Sequence, residues 1–329
     1  MSVHSKRILE PVWRLVTGIK ESLPLLTAEE QTRLSWLNVI RSFAEVPDVY
    51  RSSFEALIGD SQFPYTVLTP SYAGFIKRQN EKLVCYLDGK IHIMEEVTGL
   101  LTCTGYAVKD VSYVEAGKVL LQSWVKLSGM ADRGLPNTSE FKFNTVTEHL
   151  CAPLVEKIRS ATGRSQGTDL AVERSKFNFL GRANLKLMNY ARRSILPGEQ
   201  VIASLLQPEI RAKVLTLFNR TFYHTISPAH LSILTDRELI LIKEDPEKGP
   251  GNGPRYGGLW TYIPLHKIAA VSLGERDPNT LTLSIHLPAN DEVSSIFALA
   301  NRSELEQFVG RLEKMRQGRE DDVQKDYPL

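Results

Sequence analysis

One pattern occurs twice in this chain, and it constrains the fold more than any other feature. From residue 63 a series of short β-rich runs (PYTVLT, KLVCYL, KIHIME, LLTCTGYAV, VSYVEA, KVLLQSWVKL, EFKFNTV) leads into a helical stripe of Cys151, Leu154, Val155 and Ile158. From residue 200 the series recurs as QVIASLL, HLSILT, ELILIKE, LWTYIPL, IAAVSL, TLTLSIHL and VSSIFALA, followed by Leu305, Phe308, Val309 and Leu312. Tyr106 and Tyr262 lie 156 positions apart (262 − 106), as do Phe141 and Phe297, and the helix stripes align at 154 (305 − 151). Two copies of one unit are the expected organisation.

Within each copy the strands are joined by hairpins. Asp88-Gly89 between two β-rich runs is a strong turn signal, because both residues tolerate the left-handed conformation a two-residue loop needs. Asp236-Arg237-Glu238 occupies the corresponding place between ILT and LILI, and Asp236 is expected to bond the backbone just after it. A small sheet with one apolar face must be covered, and the helix stripes have the right size for that task. Phe297, Leu305, Phe308 and Leu312 should therefore form one buried cluster, with Phe141, Leu154 and Ile158 as counterparts.

Outside the copies the periodicity is helical. Residues 1–59 predict three helices: one starting at Pro11, one capped at Thr27 with Leu34, Leu37, Ile40 and Ala44 on its stripe, and one capped by Asp48 and closed by Gly59. The linker predicts a single helix from about Lys176 to Ile195, with Phe177, Leu180, Leu187, Met188 and Ala191 on one side. Arg182, Lys186 and Arg193 fall on the other side, where they form a basic partner- or membrane-facing candidate. Burial of the apolar side against a domain is the favoured reading. The tail after Gln317 is charged and poor in apolar residues, a composition that predicts disorder.

Seven short strands followed by one amphipathic helix is the order of a pleckstrin-homology-like (PH-like) domain. LPGEQVIASL, ILTDRELILI and YIPLHKIAAVSL resemble the bacterial, GRAM-like branch of that family. The first copy departs from the pattern, with Leu87-Asp88-Gly89 in place of Leu-Thr-Asp and no Pro after Tyr106. The resemblance implies a mostly β fold with α: two tandem bent seven-stranded sheets or barrels, each capped by a C-terminal helix, after an N-terminal helical segment. The implied boundaries are 1–59, 60–163, 164–195 (linker), 196–316 and 317–329. It further implies non-enzymatic binding or scaffolding with an unknown protein partner, and self-association such as a homodimer. In lipid-binding relatives, basic residues of the first strand loops hold the ligand; the comparable positions here are Lys77, Arg78 and Lys82 in the first copy, and Arg211, Lys213 and Arg220 in the second. They do not form the dense basic pattern of a phosphoinositide pocket, so weak contact with an anionic membrane is the alternative expectation.

Composition narrows the classes. A net charge of +2 over 329 residues does not describe a polycation built for nucleic acid. Cys85, Cys103 and Cys151 show no CxxC spacing and suit reduced thiols in a cytoplasmic protein. Arg14, Lys20 and Glu21 interrupt the first apolar stretch, which argues against a spanning helix or a signal peptide. No nucleophile elbow, Walker loop or zinc spacing is present, so neither catalysis nor a cofactor or metal is expected. The glycines between Gly249 and Gly258 alternate with prolines that cannot donate N–H groups, and His149-Leu-Cys151 lacks further ligands. The remaining histidines are expected at half-exposed sheet positions.

Overall fold

The β-rich runs form antiparallel strands, and the same order of elements occurs twice. The computed structural model describes residues 33–73, 78–161, 167–217, 220–244 and 257–326. Residues 35–329 form one unit and residues 1–34 another. The helix expected at Pro11 therefore lies outside the described residues, as do Lys77 and most of the Gly/Pro loop before Gly258.

The first half contains β1 (Asn38–Ile40), α1 (Asp48–Ile58), β2 (Tyr65–Thr69), β3 (Tyr72–Ala73), β4 (Arg78–Gln79), β5 (Lys82–Leu87), β6 (Lys90–Val97) and β7 (Leu100–Ala107). It continues with β8 (Val111–Val119), β9 (Gln122–Ala131), β10 (Leu135–Asn144) and α2 (Glu148–Ser160). The linker contributes α3 (Leu170–Ser175), α4 (Leu180–Ala183) and α5 (Leu185–Ser194). The second half contains β11 (Val201–Gln207), β12 (Ile210–Leu217), β13 (Arg220–Ser227), β14 (His230–Thr235), β15 (Glu238–Glu244) and β16 (Gly258–Pro264). It ends with β17 (Ala270–Asp277), β18 (Thr280–His286), β19 (Glu292–Ala298) and α6 (Arg302–Asp326). Even the short 3-10 corners recur: Val108–Asp110 and Leu265–Lys267 follow the fourth main strand, and Thr145–Thr147 and Leu299–Asn301 precede the helix.

Among the described residues none of the sheets closes into a barrel. The first runs β1-β2-β5-β6-β7 and another runs β17-β18-β19. The largest runs β10-β9-β8-β16-β15-β14-β11 and therefore crosses from one half to the other. The crossing is an antiparallel ladder from Gly258 opposite Lys118 to Tyr262 opposite Val114. Two separate seven-stranded sheets, one to each copy, do not describe this molecule, because the two halves share one ladder.

Packing explains why the strands of the second half lack polar alternation. Leu231, Ile233, Ile240 and Ile242 face a core shared with the first half and the linker, including Phe141, Leu154, Ile158, Phe177, Leu187 and Ala191. Leu234, Leu239 and Leu241 face the opposite way, into a core with Phe297, Leu305, Phe308 and Leu312. A strand covered on both faces reads as a continuous apolar run. The predicted helix clusters are thus borne out in both halves, each helix contributing buried residues at i, i+3 and i+7.

Three sequence expectations change. The second N-terminal helix is not observed over the described residues; Leu37 and Ile40 are buried, but Asn38–Ile40 is a strand on β2 and Phe43–Glu45 a single 3-10 turn. Pro47 cannot supply a helical N–H and starts α1 instead, whose Tyr50 and Phe54 pack on the outer face of the first sheet. The predicted linker helix is broken in two, α4 and α5, and the short α3 precedes it. Asn184, with extended φ/ψ, ends α4 and caps α5 by accepting from the Leu187 N–H at 2.9 Å. Lastly, α6 runs on to Asp326, through most of the tail whose composition predicts disorder.

Candidate binding arms and the junction between halves

The second arm is made by two prolines. β11 and β14 pair up to Gln207 opposite His230, then Pro208 and Pro228 interrupt both strands at the same level. Each removes a ladder N–H, so the hairpin leaves the large sheet and continues as the two-stranded β12–β13. The hinge is braced by buried polar groups. The Gln207 Oε1 accepts from the Ala298 N–H at 2.9 Å and from Asn301 at 3.0 Å, and its Nε2 donates to the Pro208 carbonyl. His230 bonds the Pro228 carbonyl and lies edge-on against Phe297; burial pushes its pKa down to about 4. It is therefore a core residue, not a half-exposed one.

Beyond the hinge the arm is exposed. It carries Arg211, Lys213, Val214 (61% exposed) and Tyr223 (58% exposed), with Lys213 directly opposite Tyr223 and Arg220 opposite Leu217. Arg211 is paired with Glu209, whose other oxygen accepts from Thr225 at 2.8 Å. Lys213 has no ion-pair partner among the described residues. Three of the six predicted loop residues are therefore brought onto one element, beside an exposed aromatic ring.

The first arm, β3–β4, is shorter and held down. Gln79 donates to the carbonyls of Pro70 and Lys142 and accepts from the Lys142 N–H, which ties β4 to β10. Lys82 is an internal brace: its Nζ lies 3.0 Å from Glu95 and donates to the Glu140 carbonyl at 2.9 Å. Arg78 lies in β4. The two sets of loop residues do not meet in equivalent surfaces.

The linker residues are placed apart from both arms. Phe177, Leu180, Leu187, Met188 and Ala191 are buried, and α5 packs on β14 and β15. Arg182 and Arg193 are exposed, whereas Lys186 lies 5.6 Å from the Tyr190 ring. Burial of the apolar side, the favoured expectation, is what the structure has.

Sequence reasoning missed a buried charge cluster at the junction. Arg159, at the end of α2, donates to Glu238 and to the Ser194 carbonyl, stacks 3.9 Å from the Tyr262 ring centre, and lies 3.8 Å from Glu199. Arg159, Glu199 and Glu238 are all at most 5% exposed. Burial opposes the guanidinium charge, but Glu238, Tyr262 and Glu199 outweigh it and hold its pKa above the usual range. Burial and the Glu238 charge push the Glu199 carboxyl up to about 7. Thr235 organises the adjoining turn: its hydroxyl accepts from the N–H groups of Arg237 and Glu238 and meets Glu199 at 2.7 Å. Asp236 accepts from the Gln200 N–H at 2.8 Å, and its other oxygen lies 3.9 Å from Arg237 of the same turn.

A cleft of about 410 Å³ lies between β9–β10 and the Pro288–Asp291 turn, where Ser128 donates to Asp291. Among the described residues no group of three metal-ligating side chains occurs, and no helix is long and apolar enough to cross a membrane. No protein-family model matches the chain, and no curated protein matches it. What the fold defines is a mostly antiparallel β protein in which one order of elements is used twice.

Proposed function

We propose that the chain is a non-enzymatic binding or scaffold protein built on two PH-like units, and that β12–β13 is its docking element. The observation that supports this reading is the arm itself: Lys213 and Tyr223 face solvent opposite each other on a hairpin that pairs with no other strand among the described residues. An exposed aromatic beside basic groups fits a partner with acidic and apolar residues, since the ring supplies contact area and the cations supply orientation. A photoreactive residue in place of Tyr223 should give discrete protein adducts in cells, and the same residue at the exposed Leu120 should not. Equal adducts from both positions would overturn the assignment of the arm.

Weak contact with anionic lipid is the second reading, supported by Val214 and Tyr223 beside Lys213. Through the linker it has less support, because the apolar side of α5 is buried. Flotation with phosphatidylserine vesicles, lost in Lys213→Glu and at high salt, would favour lipid over a protein partner. No flotation of the wild-type chain would remove the lipid reading.

A further inference from the structure

The ladder that joins the two halves uses β8 of the first and β16 of the second. By order in the chain and by their shared 3-10 corners, β7 is the counterpart of β16 and β17 is the counterpart of β8. Among the described residues, β7 and β17 each end a sheet. We propose that the chain associates head to tail with further copies of itself, β17 of one molecule pairing antiparallel with β7 of the next as β8 pairs with β16.

The exposure of the free strands is what a missing neighbour leaves. Val114 pairs with Leu127 and Leu273 with Leu283, and Leu127 and Leu283 correspond at the 156-residue offset (283 − 127). Leu127, Leu283 and Val114 are buried, yet Leu273 and its neighbour Val271 are only partly covered. The difference is that β8 has β16 beside it, whereas among the described residues β17 pairs on one side only. On the other strand, Gly258 and Trp260 are buried at the junction, while at the matching positions of β7 Thr102 is exposed and Thr104 half-buried. Nor is β7 protected as edge strands usually are. From Leu100 to Ala107 it carries no charge and no proline.

Copying the in-chain register sets Tyr106 opposite Leu273, Thr104 opposite Glu275, and Cys103 beside Arg276. Such a contact is heterologous, using different surfaces on the two molecules, so it propagates until a ring closes. It lacks the buried lock found within the chain: the position matching Arg159 at the helix offset is Glu313, already paired with Arg316, and the position matching Glu238 at the turn offset of 148 (236 − 88) is Lys90, already paired with Asp132, and both pairs are partly exposed. The joint between molecules is accordingly weaker and reversible. It depends on the repeated element order and the in-chain ladder, not on the ligand of the β12–β13 arm.

The test uses the full chain. Sedimentation velocity should show mass rising with concentration, and Cys103→Lys, at an exposed position, should return a single 37.0 kDa species with an unchanged melting temperature. Mild oxidation of Arg276→Cys should give a ladder of covalent multimers, absent in Cys103→Ser/Arg276→Cys and in Arg311→Cys, a control on the exposed face of α6. A concentration-independent single chain would overturn the proposal. So would association that survives Cys103→Lys, or cross-linking of Arg276→Cys no greater than that of Arg311→Cys. An arm variant such as Lys213→Glu should leave the association intact, which separates failure of this proposal from failure of the docking reading.

Discussion

The two equivalent hairpin turns have opposite fates. Asp88-Gly89 is exposed, with both residues at positive φ (49° and 74°), and its stability comes from its own backbone. Asp236-Arg237 is buried, held by Thr235, by Gln200 and by the Gly198 carbonyl, and covered by Arg159 from the other half. The arms diverge the other way: the first is tied to β10 through Gln79, and the second is open. The two halves share an order of elements but differ in what their turns and arms contact.

The largest expected break is at Arg159. Removing it leaves Glu238 and Glu199 buried without a counter-charge, a loss of about 3–5 kcal/mol. Glu313→Ala, at the matching position of α6, should stay within about 0.5 kcal/mol because its pair with Arg316 is partly exposed. Urea denaturation of both variants checks the contrast; equal midpoints would show that the junction cluster is not structural.

Acidity sharpens the same point. The folded-state pKa of Glu199, about 7, exceeds its ordinary value of 4.5, so the folded state binds the proton more tightly. Its contribution is fully present below about pH 4.5 and is lost as pH rises through 7, on the order of 3 kcal/mol in all. His230 works in the opposite sense, losing stability as pH falls from 6.5 through about 4. Glu199→Gln should remove the first slope and keep the second, as read from thermal melts between pH 4 and 8. A variant with the wild-type slope would remove Glu199 as its source.

Smaller effects belong to the turns and arms. Thr235→Val leaves two buried N–H groups without their acceptor and should cost about 1–3 kcal/mol. Gly89→Ala places a side chain at positive φ, with open space around it, and should cost about 1 kcal/mol. Chevron or equilibrium data that reverse this order would refute the assignment of Thr235 as the organiser. Least of all, Lys213→Ala should change stability by under about 0.5 kcal/mol, whereas Lys82→Ala, which breaks an ion pair and a carbonyl contact, should be measurably worse.

Much of this was legible. Period-two runs, the Asp88-Gly89 turn and the helix stripes mark strands, hairpin and cover, because local chemistry decides them. The linker stripe of Leu187, Met188 and Ala191 identified a buried side, but Asn184 as a cap inside the segment was not read as a stop. Pairing between β8 and β16 was not legible at all, since a strand edge is made of backbone and carries no residue signature. The junction cluster hid for a related reason: Thr235, Asp236, Arg237 and Glu238 have the composition of an exposed turn, and only a cation from elsewhere explains their burial. Arg211, Lys213 and Arg220 share one hairpin because they are close in sequence, whereas Lys82 is held by Glu95 and the Glu140 carbonyl, which come from other strands.

The shared ladder also sets an order of events during synthesis. Val114 meets Tyr262, a partner 148 residues later in the chain (262 − 114), so the first half leaves the ribosome before one side of β8 can be satisfied. Contacts this distant slow folding, because the closure entropy is spent before the contact returns anything. A nascent chain stalled after Ser160 would hold a nearly finished unit with an open flank, suited to capture by a chaperone or to sticking to its neighbours on the same message. Maturation of the amino-terminal half is therefore timed by arrival of the carboxy-terminal half.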